Sequence, residues 1–144
     1  MEQQQQVNIA VKKIKEIEFF VAEEVAITTT DLFKFGFELT TNFNLSESTV
    51  ELILSAIFIE ENNGNVFMKI KTSNLFLFSE LAFFYNKEKN EFNIPDNVLV
   101  TFLSLSISHT RALLAKSAIG TKFADFYIPI VNPTEVLKQL FGKK

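Results

Sequence analysis

His109 is the one histidine in the chain, and its near neighbours Ser106 and Ser108, with Asp125 further on, are the residue types of a base, a nucleophile and an orienting acid. Their spacing does not assemble that chemistry. No G-x-S-x-G turn presents either serine, and both serines fall on the same expected helix as the histidine. His109 is therefore expected to be a structural residue at a helix interface. The pairs Glu23-Glu24 and Glu60-Glu61 could in principle divide acid and base work, but at strand ends carboxylates ordinarily solvate a turn. One His and no Cys leave carboxylates alone to hold a metal, and no calcium-loop spacing occurs. The four glycines are isolated, so no loop can cradle a phosphate. No catalytic residue, metal or cofactor is expected. What remains is apolar: Phe76, Phe78, Phe83, Phe84 and Tyr85 crowd a poorly alternating segment beside a charged link, and form the candidate binding surface.

Composition bounds what such a surface serves. The 144 residues suffice for one domain with a substantial core. Residues 1–6 are polar and glutamine-rich and are expected to be a disordered tail, leaving residues 7–144 as a single domain. Seventeen Phe are more than one core readily uses, which favours a second apolar surface at a subunit contact or in a peptide groove. A net charge of −3 with scattered basic residues speaks against nucleic acid, whose affinity comes largely from clustered Lys and Arg. The absence of Cys fits a reducing compartment, and Met1-Glu2 followed by glutamines lacks the basic start and apolar run of an export signal, so a cytoplasmic location is expected. The longest helical apolar stretch, residues 98–107, is well short of the roughly 20 residues that span a bilayer, so no membrane insertion is expected.

The elements that must position these residues are legible in part. Residues 7–23 carry competing periods and read as a strand with a slip near Lys12 and Lys13. In residues 33–45, Phe33, Phe35, Phe37, Leu39, Phe43 and Leu45 share one parity and polar residues the other, the pattern of a half-buried strand. Residues 50–59 are apolar on both faces, as in a strand covered on two sides. Asn63-Gly64 is a strong hairpin signal, and the return strand is expected at about residues 66–72. Ser73-Asn74 reads as a break, and residues 75–85 resist assignment. A long helix is expected over residues 95–117, opened by Pro95. Its apolar arc is wider than one sheet can cover, with Thr101, Ser104, Ser108 and Arg111 as a narrow polar strip. This width predicts an oligomer that sandwiches the helix. Leu99, Leu103, Ser106, Ile107, Thr110 and Leu114 are the candidate interface. Residues 123–131 look extended, and Asn132-Pro133-Thr134-Glu135 opens a short last helix with Asn as its cap.

The fold class is thus α+β: a four-stranded antiparallel sheet, one long helix packed on it and a short C-terminal helix. The order of these elements, and several motifs within them, resembles the SecB family of export chaperones. The family's branched-apolar strand, hairpin and return strand closing on a small residue and Ile-Phe are similar to residues 50–59, Asn63-Gly64, residues 67–71 and Leu75-Phe76. Its Pro-Asn-apolar helix start is similar to Ile94-Pro95-Asp96-Asn97-Val98-Leu99. Its late glycine turn and following Pro-containing stretch are similar to Gly120-Thr121, residues 126–129 and Ile130-Val131-Asn132, with residues 134–137 running into the last helix.

The resemblance covers about residues 33–140 and implies a homotetrameric holdase, a dimer of dimers with long helices at the inter-dimer contact. Its apolar grooves would engage unfolded polypeptide clients without nucleotide, in that family for protein export. The segment Ile107-Ser108-His109-Thr110-Arg111 departs from the export chaperones, as does Asn132-Pro133-Thr134. These look more like a divergent SecB-like branch, some members of which resemble chaperones that protect an antitoxin. The export chaperones also carry an acidic surface and a tail for the SecA motor, where this sequence reads Phe141-Gly142-Lys143-Lys144, which speaks against delivery to SecA. The alternative is a small-ligand or dedicated protein-partner domain.

Overall fold

The computed structural model describes residues 9–141; the tail expected at residues 1–6 lies outside them. Four strands, β1 (Ile9–Val21), β2 (Phe33–Asn44), β3 (Thr49–Glu60) and β4 (Val66–Phe78), form one antiparallel sheet in the order β1-β4-β3-β2. A single 3-10 turn (Leu81–Phe84) and a two-residue hairpin, β5 (Tyr85–Asn86) with β6 (Glu91–Phe92), lead to the long helix α1 (Asp96–Ser117). A connector without regular structure then runs to α2 (Pro133–Phe141). The fold class is the one expected.

Local chemistry accounts for the turns. Asn44 Oδ1 accepts from Glu47 N at 3.1 Å and from Ser46 Oγ at 2.9 Å, closing the β2–β3 link. Gly64 sits at φ +75°, where a side chain would be strained, and Asn63 Oδ1 accepts from Asn65 N at 2.9 Å. Asn132 Oδ1 accepts from Thr134 N at 2.9 Å, the capping bond expected of Asn before Pro. The slip foreseen in β1 is a register shift between Val11 and Lys13, and a second lies between Glu16 and Glu18.

Two expectations are corrected. Strand β4 does not stop at Thr72 but continues to Phe78, because it is central, paired with β1 on one side and β3 on the other. Ser73-Asn74 is no break: Asn74 is fully buried, and its amide donates to Leu52 O at 3.1 Å and to Thr72 Oγ1 at 3.0 Å. Residues 123–131 are not uniformly extended either, since turns occupy residues 122–125 and only the remainder is open chain.

Helix α1 lies on β3 and β4, and the core divides into two clusters along it. Toward the N-terminal end of α1, Phe102, Leu103 and Ile107 meet Val50, Leu52, Leu54, Phe76 and Phe78. Toward its C-terminal end, Leu114 and Ala118 join an aromatic cluster of Phe58, Phe67, Phe123 and Phe126, with ring centroids 5.1–6.2 Å apart. At 22 residues α1 is, by length and composition, apolar enough to cross a membrane, a longer stretch than residues 98–107 suggested. Only about 33% of its most apolar window is buried in the protomer, on the side where Phe102, Leu103, Ser106, Ile107, Thr110 and Leu114 meet the sheet.

A polar ladder crosses between helix and sheet. Thr110 Oγ1 donates to Ser106 O at 2.7 Å, so the 2.8 Å contact between Thr72 Oγ1 and Thr110 Oγ1 takes its hydrogen from Thr72, which in turn accepts from Asn74. Each member is satisfied in one direction, which makes the ladder cooperative. Replacing Asn74 by Ala strips the acceptor from His109 and the donors from Leu52 O and Thr72. Urea denaturation is expected to show a loss of about 1–3 kcal/mol, the cost of leaving buried polar groups unpaired.

Candidate functional site

The sheet ends at β2, whose second edge has no backbone partner among the described residues, over all twelve residues of the strand. Its aromatic side, with Phe35 and Phe37 half-buried at a centroid separation of 4.9 Å, turns toward the helical layer. There α2 approaches because Val136 and Leu137 are buried in the core, which leaves Leu140 half-buried at its rim. The result is a groove of about 150 Å³ lined by Phe35, Gly36, Phe37, Val131, Val136, Gln139 and Leu140. A cavity of this size takes about one aromatic ring.

Arg111 of α1 holds the connector that forms the groove's third wall, donating from Nε to Ile128 O at 3.2 Å and from Nη2 to Pro129 O at 2.8 Å. Ile130 beyond it is almost wholly exposed, at 96%. An unpaired strand edge beside an apolar slot is suited to hold an extended chain, through main-chain hydrogen bonds and one side chain in two.

The aromatic residues singled out in the sequence separate into two groups. Phe76 and Phe78 are fully buried, packed against Phe102 in a tilted pair at 4.8 Å and an edge-to-face pair at 5.6 Å, and offer no surface to a ligand. They sit on the helix-facing side of a central strand, which alternation alone could not reveal. Phe83 is 82% exposed, while Phe84 and Tyr85 are half-buried and border, with Asn86 and Asn93, a separate open hollow.

The proposed helix stripe meets a similar outcome. Leu103, Ser106, Ile107, Thr110 and Leu114 are taken up by the protomer's own sheet, and Leu99 is half-buried. A helix apolar on nearly every side does not announce which side its own sheet will claim. The groove residues went unnoticed because neither the edge position of β2 nor the return of α2 onto it is local information. The clearest sequence signal was the last helix itself, with Val136, Leu137 and Leu140 on one face.

The would-be triad does not form. His109 Nδ1 lies 2.9 Å from Asn74 Oδ1 and must carry the hydrogen, since the Asn74 amide nitrogen is occupied by Leu52 and Thr72. Its ring lies near-parallel to Phe76, at 6.4 Å. Ser106 Oγ is buried without a hydrogen-bond partner among the described residues, Ser108 is exposed, and Asp125 is exposed on the connector.

Burial lowers the His109 pKa below its ordinary 6.5. The unfolded chain therefore takes up a proton at higher pH than the folded one. This contribution to stability is complete above pH 6.5 and is lost as pH falls below it. The melting temperature of the wild type is expected to fall between pH 7.5 and pH 5.5 by more than that of His109→Gln, which lacks the titrating ring.

This arrangement, a β1-β4-β3-β2 antiparallel sheet carrying one long helix and a short terminal helix, is the SecB-like α+β fold. Among solved structures the chain is similar to the SecB-like chaperone Rv1957 of Mycobacterium tuberculosis, solved in complex with a ChAD peptide from the Rv1956 HigA1 antitoxin. That likeness has a TM-score of 0.58 at 10% identity and covers 87% of this chain and 91% of that one. A protein of unknown function from Streptococcus agalactiae aligns over 85% of this chain and 97% of its own, with a TM-score of 0.33 at 8% identity. No family model matches the sequence, and no curated protein does.

Proposed function

We propose that the protein is a SecB-like holdase that binds extended, non-native polypeptide in the groove between β2 and α2, without catalysis or cofactor. The observation that carries this reading is the unpaired β2 edge flanked by Phe35, Phe37, Val136 and Leu140. Apolar contact is non-directional, and backbone pairing is indifferent to side chains, so the site accepts many sequences. The test is aggregation of a chemically denatured reporter followed by light scattering. Near-stoichiometric protein is expected to suppress scattering, and an unchanged trace contradicts the proposal.

The peptide complex of the fold neighbour favours a second reading, one dedicated client such as an antitoxin. Unrelated denatured clients separate the two: a general holdase protects all of them, a dedicated chaperone none.

Assembly from several copies belongs to this proposal. Val11, Ile14, Ile17 and Phe20 on the other edge strand are between 42% and 47% exposed, and Thr101, Ser108 and Ala112 form the outer strip of α1. Their exposure supports sister copies covering this edge and strip, as a tetramer would. Light-scattering mass in dilute buffer is expected at four protomers, and a monomer there contradicts the assembly.

A further inference from the structure

No described element covers the face of the sheet turned away from α1, although β3 is apolar on both of its sides. Val50, Leu52 and Leu54 meet the helix; the alternate residues Ile53, Ile57 and Ile59 are half-buried with no element among the described residues over them. Leu75 and Leu77 of β4 extend the same ridge, Leu77 at 40% exposure. Beside the ridge runs a strip of cations. Lys69 and Lys71 of β4 occupy this face by alternation with the buried Met68, Ile70 and Thr72. Lys13 and Lys15 of β1 pair with Leu75 and Ser73 and share it.

None of these four lysines has an ion-pair partner: among the described residues the one salt bridge is Lys138 with Glu135. The nearby Glu51 is bonded instead to Ser73 Oγ and to Asn42 Nδ2. In a chain of net charge −3 this strip is a local reversal of sign.

From this juxtaposition we infer that the bare sheet face docks an acidic amphipathic helix of another protein, its leucine-like stripe on the isoleucine ridge and its carboxylates on Lys13, Lys15, Lys69 and Lys71. A helix is the element that ordinarily covers a sheet face. From Lys69 to Leu77 the strand runs about 26 Å, the length of a helix of about 18 residues. A second copy of this chain fits less well, since it would bring the same lysine strip. Glu18, across from Lys71, and Glu38, across from Ser55, share this face; a continuous polyanion or an anionic membrane would have to lie over them, whereas a helix can place its few carboxylates on the lysines alone.

The probe is an 18-residue fluorescein-labelled helical peptide with a leucine stripe flanked by glutamate, alongside its counterpart with lysine for every glutamate. By fluorescence anisotropy the glutamate peptide is expected to bind at least about tenfold more tightly than the lysine peptide, from several surface charge pairs acting together. Added salt is expected to weaken it.

Lys13→Glu/Lys15→Glu, at two exposed positions whose side chains make no hydrogen bond among the described residues, and Lys69→Glu/Lys71→Glu are each expected to weaken it about tenfold. Leu140→Asp in the β2–α2 groove is expected to leave it unchanged, so this docking face and the client groove fail separately. Equal binding of the two peptides, no binding of the glutamate peptide, indifference to both charge reversals in folded protein, or loss in Leu140→Asp overturns the inference. So does tight binding to phosphatidylserine vesicles that both reversals abolish, which would make the strip a membrane surface.

Discussion

Replacing Phe58 by Ala is expected to cost about 3–5 kcal/mol, a large share of the about 5–15 kcal/mol usual for a whole domain. Phe58 is fully buried on β3, with ring neighbours Phe35 at 4.9 Å, Phe33 at 5.8 Å, Phe67 at 5.9 Å and Phe126 at 6.2 Å. These four come from β2, β4 and the connector, so truncation opens a void where three elements meet and none can close it alone. Urea denaturation measures the effect as a lower midpoint at unchanged slope. Phe83→Ala, at an 82% exposed ring, is expected to move the midpoint by no more than about 0.5 kcal/mol. Seventeen phenylalanines are thus not one population.

Leu140→Asp is expected to weaken binding of an unfolded reporter peptide about thirtyfold while leaving the fold intact. Leu140 is half-buried at the end of α2 and lines the groove with Phe35 and Phe37. A leucine covered by a bound side chain contributes about 2 kcal/mol, and a carboxylate facing the same apolar walls adds a desolvation cost, so about thirtyfold is the lower side of the effect. Anisotropy of a labelled reduced, unfolded peptide measures it. An affinity equal to the wild type would place the client elsewhere. Arg111→Ala, which frees the connector from its two carbonyl contacts, is expected to weaken the same peptide by a smaller factor, through loss of order in the Val131 wall.

Much of this fold was written locally. The parity of Phe33, Phe35, Phe37 and Leu39, the Asn63-Gly64 hairpin and the Asn132 cap each depend on a few adjacent residues, and each is where it was expected. Even the slip in β1 left a trace in its competing periods.

What stayed hidden depends on partners distant in the chain. Thr72, Ser73 and Asn74 look like a turn until β1 and β3 close on both sides and the helix supplies Thr110 and His109. Ser106 and Thr110 look like small residues awaiting another copy until the sheet takes them. The groove was the least legible feature, because it exists where an edge strand, a connector and the last helix meet.

Hydrogen exchange of the β2 amides, with and without an excess of unfolded reporter peptide, tests the account at its centre. The backbone groups of Phe33–Asn44 that do not bond β3 face no backbone partner among the described residues. If an extended chain lies along that edge, alternate amides in this strand slow on adding peptide, and Leu140→Asp removes the slowing. Bound peptide with unchanged exchange throughout β2 would contradict the account.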